Sequence, residues 1–327
     1  MRFLLDDEQR EFARSLDAML TAAGTPSVLR AWAAGDHAPG RALWGRLADA
    51  GVFALAVPEA YGGLGPLPVE TAVACVELGR HAVPGPVAET LAAGVLLGGA
   101  GGPAAEEWLP RIASGAVVSL RLAGHGPYAL DADAADAVFT VDGDELRLAP
   151  GPGEPSASAD PARRLFRPEA GGAVAAAGPG VREAARAAGD WASFATAALA
   201  LGCGEELLRA TVAYVKQRTQ FGVPVGSFQA VKHRLADTLL GLEFARPLLY
   251  GAAVELAGGS AGAGAAVAAA KAAAGEAGYA AARTALQSHG AVGYTEELDL
   301  AWWLRRARPL RDAWGTPSAC RARVLAG

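Results

Sequence analysis

The chain has 327 residues, of which 52% are hydrophobic, and a formal net charge of −5. That supplies apolar mass for a sizeable core and a length prior of about two domains, while the lack of a long basic run leaves no electrostatic case for nucleic acid as a partner. Glycine (42) and proline (20) follow no period, which excludes fibrous and low-complexity classes. Cys75, Cys203 and Cys320 lie far apart and form no C-x-x-C pair; they read as small buried apolar groups, and a cytoplasmic location is expected. The segment Met1–Asp7 turns acidic at once, without the apolar stretch of a signal peptide. The longest apolar runs, 192–202 and 261–270, are too short or too rich in Ala and Gly to span a bilayer, so a soluble protein with no membrane partner is expected.

In chain order, residues 6–21 predict an amphipathic helix capped by Asp6 or Asp7, with Phe12, Leu16, Met19 and Leu20 on one face, ended by Gly24-Thr25-Pro26. A second helix is expected at 41–50. A Gly- and Pro-fixed loop follows through Val57-Pro58-Glu59-Ala60-Tyr61-Gly62-Gly63-Leu64-Gly65, then helices at 68–80, 87–98 and up to Ser114. The pattern then alternates as strands do. Residues 116–122 and 137–141 read as strands, and Asp142-Gly143-Asp144 marks a hairpin into Glu145–Leu148. Residues 150–180 carry little strand signal and read as residual strands and linker. From 181 onward the chain is helical again. Long helices are expected at 182–217, 228–257 and 262–288, another at 296–310, and a last turn beyond Thr316. Gly202 and Gly204 are placed for close helix approach. The fold class is therefore mainly α with a small β-domain: an N-terminal helical domain (1–115), a reduced β middle domain and linker (116–180), and a C-terminal four-helix bundle (181–327).

Two stretches near the C-terminal end organise the rest. One is Arg218-Thr219-Gln220-Phe221-Gly222 through Phe228-Gln229; the other is Gln287-Ser288-His289-Gly290-Ala291-Val292-Gly293-Tyr294, followed by Trp314-Gly315-Thr316. Each sets glycine-bearing turns and polar side chains at the end of a helix, where backbone N–H groups favour a pyrophosphate and an Arg supplies a charge-assisted contact. On spacing alone, Arg218 fits equally well as a partner for helix-terminal carbonyls.

These stretches resemble the acyl-CoA dehydrogenase family of FAD enzymes, and weaker echoes, including the Val57–Gly65 loop, extend over nearly the whole chain. The resemblance implies that Arg218, Gln220, Phe221, Phe228 and Gln229, with Gln287, Gly290 and Ala291, contact the pyrophosphate and adenosine half of FAD. Thr316 and Ser318 match positions that touch the phosphate region; Pro317 between them removes a donor. The family usually has Gly at Ala291. It also implies that this grip reaches across a dimer interface, while the flavin ring lies against the neighbour's β-domain and catalytic Glu.

Here the resemblance breaks. Alpha-proton abstraction needs a carboxylate beside the thioester, and the position where the family often carries its Glu is Trp314. The alternative position used by a minority of the family falls near Ala192. No catalytic residue is therefore assigned. Trp314 reads as filling an emptied acyl pocket, Asp190 and Asp312 as solvated carboxylates or displaced bases, and His289 and His233 as structural donors. The loop Ala123–Tyr128 stands where the family usually presents Thr-Glu-Pro and Gly-Ser-Asp to the flavin. No metal-spaced cluster is read from the sequence.

The resemblance thus implies a non-catalytic subunit of a heteromeric, α2β2-like acyl-CoA dehydrogenase, sharing FAD with a catalytic partner subunit that holds most of the acyl-CoA. Some bacteria use such split enzymes on bulky, steroid-type thioesters. The alternatives are a self-sufficient homo-oligomeric flavoprotein with a displaced base and a cofactor-free assembly protein on the same scaffold.

Overall fold

The computed structural model describes residues 4–295 and 297–326; Met1–Phe3, Glu296 and Gly327, and with them the first residue of the expected 296–310 helix, lie outside it. Six helices come first: α1 (Asp7–Ala23), α2 (Thr25–Ala33), α3 (Ala38–Asp49), α4 (Pro68–Arg80), α5 (Val87–Ala100) and α6 (Gly102–Ala113). Asp6 closes a capping box on α1: its carboxylate accepts from Gln9 N–H at 2.8 Å, and the Gln9 side chain accepts from Asp6 N–H at 3.1 Å. Leu16 and Leu20 are buried, with Phe12 and Met19 packed at the edge. Gly24-Thr25-Pro26 does not end the helical region. Gly24, at φ +59°, lets the chain turn, and Pro26 falls in the first turn of α2, where it lacks nothing a helix needs.

Seven short strands follow: β1 (Val118–Leu122), β2 (Ala129–Leu130), β3 (Ala137–Asp142), β4 (Glu145–Leu148), β5 (Glu154–Ser156), β6 (Leu165–Arg167) and β7 (Ala173–Ala177). One sheet has the order β1-β3-β4-β7, with β1 parallel to β3 and the rest antiparallel; a smaller sheet has the order β2-β6-β5. The β3–β4 hairpin closes through Gly143-Asp144, with Asp142 paired to Glu145 and Gly143 at φ +63°. Residues 150–180 hold three of these strands. Their Ala- and Gly-rich sequence has weak strand propensity, and pairing with β4 and β2 supplies the order.

The third region comprises α7 (Pro179–Gln217), α8 (Gln229–Ala257), α9 (Ala263–His289), α10 (Ala301–Asp312) and α11 (Pro317–Ala326). The last turn expected beyond Thr316 is a ten-residue helix. Helices α7 to α10 form the bundle, and α7 also packs on α4 and α5, so one core runs through both helical regions. Glycines permit this: a Cβ at Gly202 would stand 1.9 Å from the Val76 carbonyl oxygen of α4, and one at Gly278 2.6 Å from the Ala200 oxygen. The buried pair Arg306–Asp160 (Nε to Oδ2, 2.7 Å) locks α10 to the β region, and Arg306 also donates to Val83 O at 2.8 Å. Only one side of α8 is covered. Leu242 is buried, whereas Leu239, Leu240, Phe244 and Leu248 are 48%, 52%, 72% and 44% exposed, which leaves an apolar ridge on the uncovered side.

Gly202→Ala forces α4 and α7 apart and lowers stability by about 3 kcal/mol, the upper part of the overpacking range. Gly45→Ala, on α3 with open space around it, is neutral to mildly stabilising. Urea unfolding midpoints of the two variants check the contrast.

Candidate functional site

Residues 218–228 connect α7 to α8. Gln220 pairs with Val223 across a two-residue loop, Phe221-Gly222, with φ of +53° and +80°. Such loops favour residues that tolerate left-handed backbone. Phe221 pays both for that conformation and for being 94% exposed. Arg218 is exposed and donates to the Tyr214 hydroxyl at 2.8 Å. Tyr214 stacks on His289, with ring centroids 4.1 Å apart, and donates to the His289 carbonyl at 3.4 Å. Tyr214 is thus the clasp that brings the Arg218 stretch beside Gln287, Gly290 and Ala291 at the end of α9. Sequence reasoning missed Tyr214; its four-residue offset from Arg218 was the available signal.

Gln220, Phe221, Phe228, Gln229, Gln287, Gly290 and Ala291 are exposed alongside Arg218. Helix α8 begins without a side-chain cap, leaving first-turn N–H groups for an anion. Gly290, at φ +65°, has open space where a Cβ would stand. This half fits an extended anionic dinucleotide. His289 is structural, buried with Nδ1 bonded to Ala285 O at 2.8 Å, and burial pushes its pKa down. His233 is exposed on α8.

Thr316 and Ser318 are exposed at the start of α11, their hydroxyls 3.1 Å apart, with Thr316 Oγ1 accepting from Ala319 N–H at 3.3 Å. They do not join the other group. Cys320 of α11 packs on Ala268 and Ala272 of α9, and Gln287 lies roughly 22 Å further along that helix at its ordinary rise. Within one chain the two sets of expected contacts therefore face different places.

Trp314 is 8% exposed, at φ +56°. Its indole N–H donates to Glu89 Oε1 of α5 at 2.8 Å, and its carbonyl accepts from the Ser193 hydroxyl of α7. Lys271, fully buried on α9, donates to the carbonyls of Leu310, Arg311 and Gly315 at 3.0, 2.8 and 3.0 Å and so clamps the turn that carries Trp314. Ala192 is fully buried in α7. Beside Trp314 lies a cavity of about 340 Å³, lined also by Glu89, Leu122, His125, Tyr128, Ser158 and Asp312. The His125 ring packs on Trp314 at 5.1 Å, and desolvation pushes its pKa down, against the opposing pull of Asp190.

Of the two displaced carboxylates, Asp312 lines this cavity and is ion-paired to Arg311 at 3.0 Å. Asp190 is held by Arg323, with Nη2 at 3.0 Å from Oδ2. Glu89 was missed. It is 4% exposed, and its Oε2 has no hydrogen-bond partner among the described residues. A lone Glu in an apolar helix was the sequence signal. The base position is occupied by an indole that donates a hydrogen bond and accepts no proton, so this half does not fit proton abstraction at Trp314. Among the described residues no helix is long and apolar enough to cross a membrane.

Known proteins bear on the two halves. Residues 6–116 match the model of the acyl-CoA dehydrogenase N-terminal domain, and residues 180–326 that of the C-terminal domain. The chain is 34% identical over 305 residues to acyl-CoA dehydrogenase IpdE2 of Mycobacterium tuberculosis, covering 92% of this chain and 91% of that one. Among solved structures, the Tcur3481-Tcur3483 steroid ACAD G363A variant superposes with a TM-score of 0.81 at 27% identity, covering 98% and 97% of the two chains. The ChsE4-ChsE5 complex from Mycobacterium tuberculosis shares the fold with a TM-score of 0.82 at 24% identity, covering 100% and 98%. With a fold of this kind, two matching domain models and a full-length relative, the chain belongs to the acyl-CoA dehydrogenase family.

Proposed function

We propose that this chain is the non-catalytic subunit of a heteromeric, α2β2-like, FAD-dependent acyl-CoA dehydrogenase. One observation carries the reading: Arg218 and the polar residues around it lie exposed on an outer surface, while the position where the family often carries its base is Trp314, buried and bonded to Glu89. A grip on an outer surface serves a cofactor seated in another subunit. The uncovered ridge of Leu240, Phe244 and Leu248 on α8 and the exposed Phe221 supply the apolar surface that a partner subunit would cover. We divide the chain as helical domain 1–115, reduced β domain and linker 116–180, and bundle 181–327.

In the complex, Arg218, Gln229 and Gln287 hold and orient the pyrophosphate and adenosine half of FAD, and the first-turn amides of α8 meet its negative charge. FAD, when bound, supplies the acceptor for the β-hydride. The partner subunit contributes the carboxylate base and most of the acyl-CoA pocket. Likeness to a steroid acyl-CoA dehydrogenase at 27% identity directs the substrate reading to bulky, steroid-type thioesters, oxidised in the cytoplasm.

A second reading, a self-sufficient flavoprotein with a displaced base, is favoured by Asp312 lining the Trp314 cavity. Trp314→Glu separates the two. On the first reading the isolated variant stays inactive, because more than the base is missing. A gain in acyl-CoA dehydrogenation of about 100-fold or more, the scale of a restored general base, would support the second.

A further inference from the structure

Glu77 and His81 stand one turn apart at the end of α4, and the exposed Asp17 of α1 meets them there. One oxygen of Asp17, one of Glu77 and one ring nitrogen of His81 all lie within 4.8 Å of one another. His81 Nε2 is 2.8 Å from Asp17 Oδ1. Ligands around a tetrahedral zinc stand about 3.3 Å apart, from bonds of about 2.0–2.1 Å, so small side-chain movements would seat the ion. A second observation concerns Glu77 alone. It is 4% exposed; Arg80 donates to its Oε1 at 2.8 Å, and its Oε2 has no hydrogen-bond partner among the described residues. Oε2 is therefore the oxygen left to coordinate, and a buried carboxylate oxygen without a partner is unfavourable. The surrounding charge is unbalanced in the same sense. Arg80 is shared between Glu77 and Glu205, and Arg246 between Glu205 and Glu243. With Asp17, four carboxylates thus stand against two guanidinium groups, an excess that matches one divalent cation. Asp17, its side chain 57% exposed, lines with His81 a cavity of about 800 Å³, which gives an ion its entry path.

We propose that Asp17, Glu77 and His81 bind a zinc ion, with water in the fourth position, and that the ion fastens α1 to the end of α4. The donor set selects the metal. One imidazole and two carboxylates suit zinc, whereas calcium takes more oxygen ligands and magnesium keeps a near-octahedral, mostly hydrated shell. In the sequence Glu77 and His81 show only a four-residue spacing, and Asp17 comes 64 positions before His81, so no local motif announces the site. The site goes beyond the subunit role proposed above and does not depend on it, since it uses neither the Arg218 stretch nor flavin.

The test is titration calorimetry of the full chain, first dialysed against a chelator, with Zn²⁺ near neutral pH. One equivalent is expected to bind with a Kd below about 10 μM, and Mg²⁺ or Ca²⁺ at about 1 mM should not displace it. At about a hundredfold excess over Kd, Zn²⁺ should raise the thermal midpoint by about 3 °C. Asp17→Asn, Glu77→Gln and His81→Ala should each weaken binding by at least about tenfold, since even the outer partners of metal ligands are worth that much. His233→Ala, an exposed histidine on α8, should leave the Kd unchanged. Circular dichroism confirms that each variant is folded. If the buried Glu77→Gln is not, Asp17→Asn decides, because Asp17 is exposed and its change spares the core. No binding at about 100 μM Zn²⁺, unchanged affinity in folded Asp17→Asn, or displacement by Mg²⁺ would reduce the cluster to a His81–Asp17 hydrogen bond and overturn the proposal. Flavin content of the mixed complex reports separately on the subunit reading, so the two can fail independently.

Discussion

Arg218→Ala is expected to weaken FAD retention by the mixed complex by about 10- to 100-fold, while leaving the isolated chain's stability unchanged. The magnitude is that of one charge-assisted hydrogen-bonding group removed from a phosphate, about 1.5–3 kcal/mol. The side chain is exposed, and its hydrogen bond within the chain is to the Tyr214 hydroxyl, so little in the fold depends on it. Tyr214→Phe is the informative companion. It keeps the ring stack on His289 and removes only the hydroxyl that orients Arg218, so its effect on retention should fall between wild type and Arg218→Ala. Flavin absorbance after gel filtration of the complex measures both. Unchanged flavin content in Arg218→Ala would remove the cofactor role from this stretch.

Lys271→Met should destabilise the chain by about 3 kcal/mol or more, because three carbonyls lose a buried donor at once. Its local signature is release of the turn that carries Trp314, seen as increased quenching of tryptophan fluorescence by acrylamide. The wild type has a further pH signature. Burial pushes Lys271 down to about 8 from its ordinary 10.5, so between these values the folded chain holds fewer protons than the unfolded chain. Its stability contribution therefore rises with pH across about 8 to 10.5, and this rise is absent in Lys271→Met. Urea midpoints at pH 7.5 and pH 10 for both proteins check it; equal pH dependence in the two would assign the change to other groups.

The helical frame was legible because its period is written in local residues. The predicted helix at 68–80 has the bounds of α4, and those at 182–217 and 262–288 agree with α7 and α9 to within three residues. The hairpin at Asp142-Gly143-Asp144 was equally local. What was not legible depended on tertiary pairing. Strand β7, Ala173–Ala177, is held by β4 rather than by its own propensity, and α2 begins at the Gly24 turn that was read as an end. The apolar periodicity of α8 marked a helix but not which of its apolar residues are buried, because periodicity does not tell a core face from an uncovered one. The Arg218 and Gln287 stretches were visible as motifs, and the structure adds the Tyr214–His289 stack that brings them together. Glu89 stood out locally only as a lone acid in an apolar helix, because its significance comes from Trp314, 225 positions away in the chain.

The most direct measurement of the central claim is the flavin content of the chain alone and of the proposed complex with a catalytic acyl-CoA dehydrogenase subunit. A chain that lends a grip outward and keeps Trp314 where a base would stand predicts a colourless isolated protein, and one FAD for each pair of unlike chains in an active complex. A yellow, active isolated chain, or one FAD on every chain of the complex, would contradict it.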